Sequence, residues 1–84
     1  MYILSLTARQ QQPSSPLKTL LVWVNCNNQQ HACEQATQTL VTQGWHIEHI
    51  DSATITDVGD YFPPCASLDA FHRAEIEDVA YRIL

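Results

Sequence analysis

Two stretches in the first third of the chain have the hydrophobic pattern of β-strands. Between Tyr2 and Arg9, apolar and polar side chains alternate with a period of two, which predicts a strand with one face on a core. The polar segment 10–16 contains two prolines and predicts a connector that can return the chain antiparallel. The segment Thr19–Cys26 is apolar on both sides. It predicts either a central strand or one covered by helices on one face and by a second subunit on the other.

A first helix is predicted to begin near Gln29 and to end at Gly44. Three asparagines precede it, and a side-chain oxygen there can accept a hydrogen bond from the free amides of a first turn. Apolar side chains recur within it at three- and four-residue spacing, at Cys33, Ala36, Leu40 and Val41. Because glycine readily adopts the left-handed conformation, Gly44 should stop the helix, and Trp45 should pack back on Leu40.

A third extended region is predicted from His46 to Val58. Its apolar residues Ile47 and Ile50 are three apart, so strict alternation fails and a bulge or bend near His49 is expected. The alternative is two short strands with a turn at Asp51–Ser52.

The second helix is predicted to begin at about Leu68, after a loop rich in glycine and proline, with Ser67 and Asp69 at its amino terminus. The end of the chain has two interpretations. Val79–Leu84 is either a final strand or the continuation of one helix over Leu68–Ile83. We favour the strand, because pairing in the sheet would hold an end that otherwise frays.

These elements predict a single α+β domain over residues 1–84 with the order β-β-α-β-α-β. The expected architecture is a two-layer sandwich, a mixed or antiparallel four-stranded sheet with both helices on one face. The helix placement follows from the right-handedness of strand–helix–strand crossovers between parallel strands. The alternative order, β-β-α-β-α, has one long C-terminal helix.

Charge narrows the classes of partner. The 84 residues carry a formal net charge of −5, and Lys18 is the single lysine. Nucleic acids and anionic membranes attract basic patches, so neither is expected as a partner. The amino terminus lacks the basic start and long apolar stretch of a secretory signal, and the three cysteines form an odd set. We therefore expect reduced thiols and a cytoplasmic location.

Cys26, His31 and Cys33 form the densest group of metal-ligand residue types. Zinc takes such donors, but a structural site needs four of them in a tetrahedron, and this spacing matches no known pattern. A catalytic thiol at Cys26 is a second possibility, since a strand end before a helix favours the thiolate and His31 lies near in sequence as a base. No motif accompanies either site, so we predict no metal site, no cofactor and no catalytic residue.

The apolar residues Leu21 and Trp23 suggest an interface. If both helices cover the opposite face of the sheet, these side chains form an exposed apolar patch of the kind that a second subunit buries. The sequence therefore predicts a homodimer, with another protein as a possible partner.

Several core and capping positions resemble those of small uncharacterised bacterial α+β proteins. The shared pattern is a strand, a helix with alanines four apart, then Gly-Trp and another strand. It is carried by Trp23–Asn28, Ala32, Ala36, Leu40, Gly44–Trp45 and Ala80–Ile83. The resemblance implies a ferredoxin-like layered fold and a dimer, and it implies no catalytic residue.

The function expected from the sequence is that of a non-enzymatic homodimer or protein-interaction module. One alternative is a metal- or thiol-dependent protein centred on Cys26, His31 and Cys33. Another is a sensor domain that binds a small ligand between sheet and helices or at the dimer interface.

Overall fold

A computed structural model describes residues 1–12 and 14–84, so Pro13 of the predicted connector lies outside the described residues. Its elements are β1 (Tyr2–Gln10), β2 (Lys18–Val24), α1 (Gln29–Thr42), β3 (Trp45–Ile55), a 3-10 turn (Val58–Asp60), α2 (Ala66–Glu77) and β4 (Val79–Ile83). This is the predicted order β-β-α-β-α-β, and the strand at the end of the chain excludes one long C-terminal helix.

All four strands form one antiparallel sheet in the order β3-β1-β2-β4. β1 and β2 form a hairpin in continuous register from Tyr2↔Val24 to Ala8↔Lys18. The predicted α+β class and antiparallel four-stranded sheet are therefore confirmed. β2 is an internal strand, which explains why both of its faces are apolar.

The two helices cover opposite faces of the sheet. One face holds Leu4, Leu6, Leu20, Val22 and Val24, and these side chains pack with Ala32, Ala36 and Leu40 of α1. The other face holds Trp23 and Ala80, which pack with Ala70, Phe71 and Ala74 of α2. The domain thus has three layers, with the sheet in the middle.

The prediction that both helices lie on one face is therefore wrong. β2 and β3 both pair antiparallel with β1, so they run parallel to each other, and the handedness rule applies to α1 between them. β3 and β4 run antiparallel, so the rule does not fix the face of α2. Burial of apolar surface decides the face on which α2 lies. The Trp23 side of β2 is apolar, and α2 is the element that can cover this side.

The residues at the two ends of α1 play the roles that the sequence predicts for them. The Asn28 side chain accepts a hydrogen bond from the His31 backbone N–H at 3.1 Å, as a helix cap should. Gly44 has φ +88°, a conformation that strains any residue with a Cβ. Trp45 is buried in the same cluster as Leu40, which confirms the predicted packing.

β3 is one strand with two irregularities, so the alternative of two short strands is wrong. Its pairing with β1 shifts register between Ser5 and Leu6 and again between Thr7 and Ala8. The extra residues are Asp51 and Glu48, on either side of the predicted position near His49. Because of these bulges, Ile47 and Ile50 both pack against the core on the α1 face although they are three apart.

α2 begins two residues before the predicted start, and Ser67 is not its cap. Cys65 holds the cap position without a side-chain hydrogen bond, whereas Ser67 lies in the first turn and accepts a hydrogen bond from Arg82 Nη1 at 2.9 Å. Asp78 ends the helix with φ 73°, and its carbonyl accepts from the Asn25 N–H. The predicted turn from helix to strand is thus made by a residue other than glycine, which is why the sequence left two interpretations open.

The close approach of α2 to the Trp23 face gives a first prediction. Ala70 and Ala74 are fully buried there. Ala74→Leu should lower the free energy of unfolding by about 1–3 kcal/mol, because extra methylenes have no room in a packed contact. Ala66→Leu, the same change at an exposed position of α2, should alter it by about 0.5 kcal/mol or less. Urea unfolding measures both, and equal values for the two variants would contradict this packing.

Candidate functional site

The structure separates the predicted cysteine–histidine group. Cys26 follows β2, and its thiol donates a hydrogen bond to the Asn28 carbonyl at 3.3 Å. Cys33 lies on α1 and packs against the core, whereas His31 is exposed. All three cysteines are free and half-buried. Across residues 1–12 and 14–84, no three His, Cys, Asp or Glu side chains are grouped to hold a metal ion.

The predicted interface residues do not form an open patch. Trp23 is fully buried beneath α2, and Leu21 is half-buried beside it. The reason for placing a second subunit on this face was its supposed exposure. Because α2 of the same chain already covers Trp23, that side chain is not available to a second subunit.

A directed chain of hydrogen bonds holds Trp23. Its indole Nε1–H donates to the Tyr61 hydroxyl at 3.0 Å. The Thr56 hydroxyl donates to Asp60 Oδ2 at 3.1 Å, so its single proton is used. In the 2.7 Å contact between Thr56 and Tyr61, the proton therefore comes from Tyr61. The chain runs from a buried indole to a surface carboxylate and fixes the 3-10 turn against the sheet.

The other tryptophan has a similar arrangement on the α1 face. Trp45 Nε1–H donates to the Tyr81 hydroxyl at 3.4 Å, and Tyr81 donates to Gln43 Oε1 at 2.7 Å. The two rings meet edge to face. This network connects Tyr81 of β4 to Gln43 at the end of α1 and holds the tyrosine ring in place.

The bulges of β3 place polar side chains close together on the part of the sheet that α2 leaves uncovered. His46 and His49 pair with Arg9 and Thr7 of β1 and so share one face. Arg9 Nε lies 3.0 Å from Glu48 Oε1, and His49 Nε2 lies 3.2 Å from Asp51 Oδ1. The His49 and Asp51 side chains are 70% and 42% exposed, and those of Arg9 and Glu48 are 37% and 38% exposed, so both pairs are partly solvated and weak.

β4 presents unpaired backbone groups along its outer side. The Asn25 N–H donates to the Asp78 carbonyl and the Leu84 N–H donates to the Thr19 carbonyl, both at 2.8 Å. In an antiparallel ladder, every second residue bonds to the same neighbour. By this alternation Ala80 and Arg82 bond to β2. The N–H and C=O groups that point away from the sheet belong to Val79, Tyr81 and Ile83.

This edge forms the floor of a cleft of about 430 Å³. Thr39 of α1 and Gln43, the residue directly after this helix, form one wall, and Arg73 and Glu77 of α2 form the other. The cleft exists because the helices lie on opposite faces and both overhang the same edge. The alternation of β4 is visible in the residue pattern, but no local pattern shows which strand lies at the edge, since this depends on long-range pairing.

The chain matches no protein-family model, no curated protein and no solved structure at a significant level. The resemblance suggested by the sequence is therefore supported only as a small α+β fold with a four-stranded antiparallel sheet and two helices. None of the helices in the described part of the chain is long and apolar enough to cross a membrane.

The hydrogen-bond chain at Trp23 gives a second prediction. Tyr61→Phe removes the hydroxyl that accepts from a fully buried indole N–H. The free energy of unfolding should fall by about 1–3 kcal/mol, the cost of an unsatisfied buried donor.

Tyr2→Phe is the matched control, since Tyr2 also packs on the sheet but lies on the α1 face. It should change the free energy of unfolding by about 0.5 kcal/mol or less. Urea unfolding followed by circular dichroism gives both values. Equal stabilities of Tyr61→Phe and the unaltered protein would show that the indole does not depend on Tyr61.

Proposed function

We propose that the protein is a non-enzymatic interaction module that binds an extended polypeptide strand along β4. The observation that carries the proposal is the row of outward N–H and C=O groups at Val79, Tyr81 and Ile83 on the floor of a two-walled cleft. Strand addition uses such an edge, because main-chain hydrogen bonds supply affinity and the flanking walls select side chains.

The other edge of the sheet is a poorer acceptor. β3 is interrupted by bulges at Glu48 and Asp51, and both residues are charged. Bulges and charges at an edge are common devices against pairing with another chain. β4, by contrast, pairs with β2 in one continuous register from Val79 to Ile83. The β4 edge is thus the side of the sheet at which a strand would add with least disturbance.

The walls define the chemistry of the occupant. Successive side chains of an added strand would face α1 and α2 in turn. Thr39 and Gln43 offer hydroxyl and amide groups on one side, and Arg73 and Glu77 offer one charge of each sign on the other. A suitable occupant is an extended segment with hydrogen-bonding side chains toward α1 and paired charges toward α2.

The predictions about cellular location, fold family and source are part of this proposal. Three free cysteines support a reducing, cytoplasmic location. The ferredoxin-like layered fold stays a prediction from the sequence, because the two-layer sandwich expected with it had both helices on one face of the sheet. A bacterial source remains a prediction from the resemblance of the sequence alone.

A backbone substitution tests the proposed site. Ile83→Pro removes an outward N–H and should leave the ladder with β2 intact, because proline is tolerated where its nitrogen faces solvent. Ile83→Thr is the matched control, which keeps the N–H and the β-branched shape. The probe is a synthetic peptide with the sequence of residues 78–84, added in excess to isotope-labelled protein.

The expected result is that the Tyr81 amide exchanges slowly with solvent in the presence of the peptide, in the unaltered protein and in Ile83→Thr. In Ile83→Pro it should exchange at least about tenfold faster, since one pair of the added ladder is lost. Fast exchange at Tyr81 in the unaltered protein with excess peptide would refute the proposed function. So would equal protection in the proline variant.

A further inference from the structure

We infer that the strand bound at β4 is the β4 of a second copy of this chain, paired antiparallel about a two-fold axis at Tyr81. This inference rests on the proposed function and names its partner. It gives one continuous eight-stranded sheet from two four-stranded sheets. It also places the predicted homodimer on a surface that the chain leaves uncovered, in contrast to Leu21 and Trp23.

The alternation of backbone groups selects the register. With Tyr81 opposite Tyr81 of the second copy, Val79 lies opposite Ile83 in both directions. Each of these residues has one outward N–H and one outward C=O, so every such group in both copies finds a partner. A shift by two residues in either direction leaves the groups of one residue in each copy without a partner. The centred register is therefore the one with most hydrogen bonds.

The same register covers exposed apolar surface. Ile83 is 50% exposed, although it lies on the face of the sheet that packs against α1. In the centred register its side chain lies beside Val79 of the second copy, and directly opposed β-branched residues pack well across an antiparallel pair. The Tyr81 ring is already fixed by Trp45 and Gln43, so little side-chain freedom is lost at the axis.

The charges on the α2 wall are self-complementary. Arg73 and Glu77 both line the cleft, and neither forms an ion pair with another residue among 1–12 and 14–84. A two-fold axis reverses the direction of α2, so Arg73 of one copy faces Glu77 of the other, and the reverse pair forms by symmetry. An extended peptide of another protein would need to supply both charges itself.

Sedimentation equilibrium of the full chain tests the inference. The unaltered protein should be a dimer at micromolar concentration, and Ile83→Pro should be a folded monomer. Arg73→Glu and Glu77→Arg should each weaken the dimer by about tenfold, because each places like charges opposite one another twice. The double variant, Arg73→Glu with Glu77→Arg, should restore the affinity, since the pairs form again with reversed signs. Circular dichroism checks that each variant is folded.

The outcomes separate this inference from the proposed function. A monomer at all concentrations whose Tyr81 amide is nevertheless protected by the peptide would overturn self-pairing and leave strand addition standing. A dimer unaffected by Ile83→Pro would likewise overturn self-pairing at β4, and the peptide experiment would then decide strand addition separately. A dimer lost in Ile83→Pro but insensitive to both single charge changes would overturn the two-fold register described here.

Discussion

The second strand needs cover on both of its faces, and the rest of the fold depends on this requirement. β2 carries Leu20, Val22 and Val24 on one side and Trp23 on the other, and all four are fully buried. A single layer of helices cannot shield both sets. The hairpin with β1 and the crossover through α1 bury the first set, so α2 must pass to the opposite face to bury Trp23. In a chain of this length, leaving so large a side chain exposed would remove a substantial part of the burial that stabilises it.

The polar ends of the tryptophans determine where the loops attach. Each of the two indole N–H groups donates to a tyrosine hydroxyl, Trp23 to Tyr61 and Trp45 to Tyr81. A buried donor without a partner is costly, so each aromatic pair fixes a connecting segment as well as a core position. Tyr61 fixes the turn that leads into α2, and Tyr81 fixes β4 against α1. The position of the cleft beside β4 thus follows from satisfying these buried groups.

Local patterns in the sequence were sufficient to predict the strands and helices. The arrangement of these elements depends on long-range pairings, which such patterns do not contain. The period of two in β1, the asparagine at the start of α1, Gly44 and the three-residue spacing of Ile47 and Ile50 each predicted a feature that the structure confirms. The face of α2 was predicted wrongly, because a handedness rule for parallel strands was applied to β3 and β4, which run antiparallel. The candidate site was not predicted, since an edge strand is defined by which neighbours it lacks. Trp23 was assigned to an interface for the same reason: the pattern shows that a face is apolar and does not show what covers it.

Nuclear Overhauser contacts of the Trp23 indole test the central claim most directly, namely that α2 covers the face of β2 opposite to α1. The account predicts contacts from the Trp23 ring protons to the methyl groups of Ala70 and Ala74, and from the Val22 methyls to those of Ala32 and Ala36. Contacts from Trp23 to neither Ala70 nor Ala74, or contacts from both helices to the same sheet face, would contradict the three-layer fold and the cleft that depends on it.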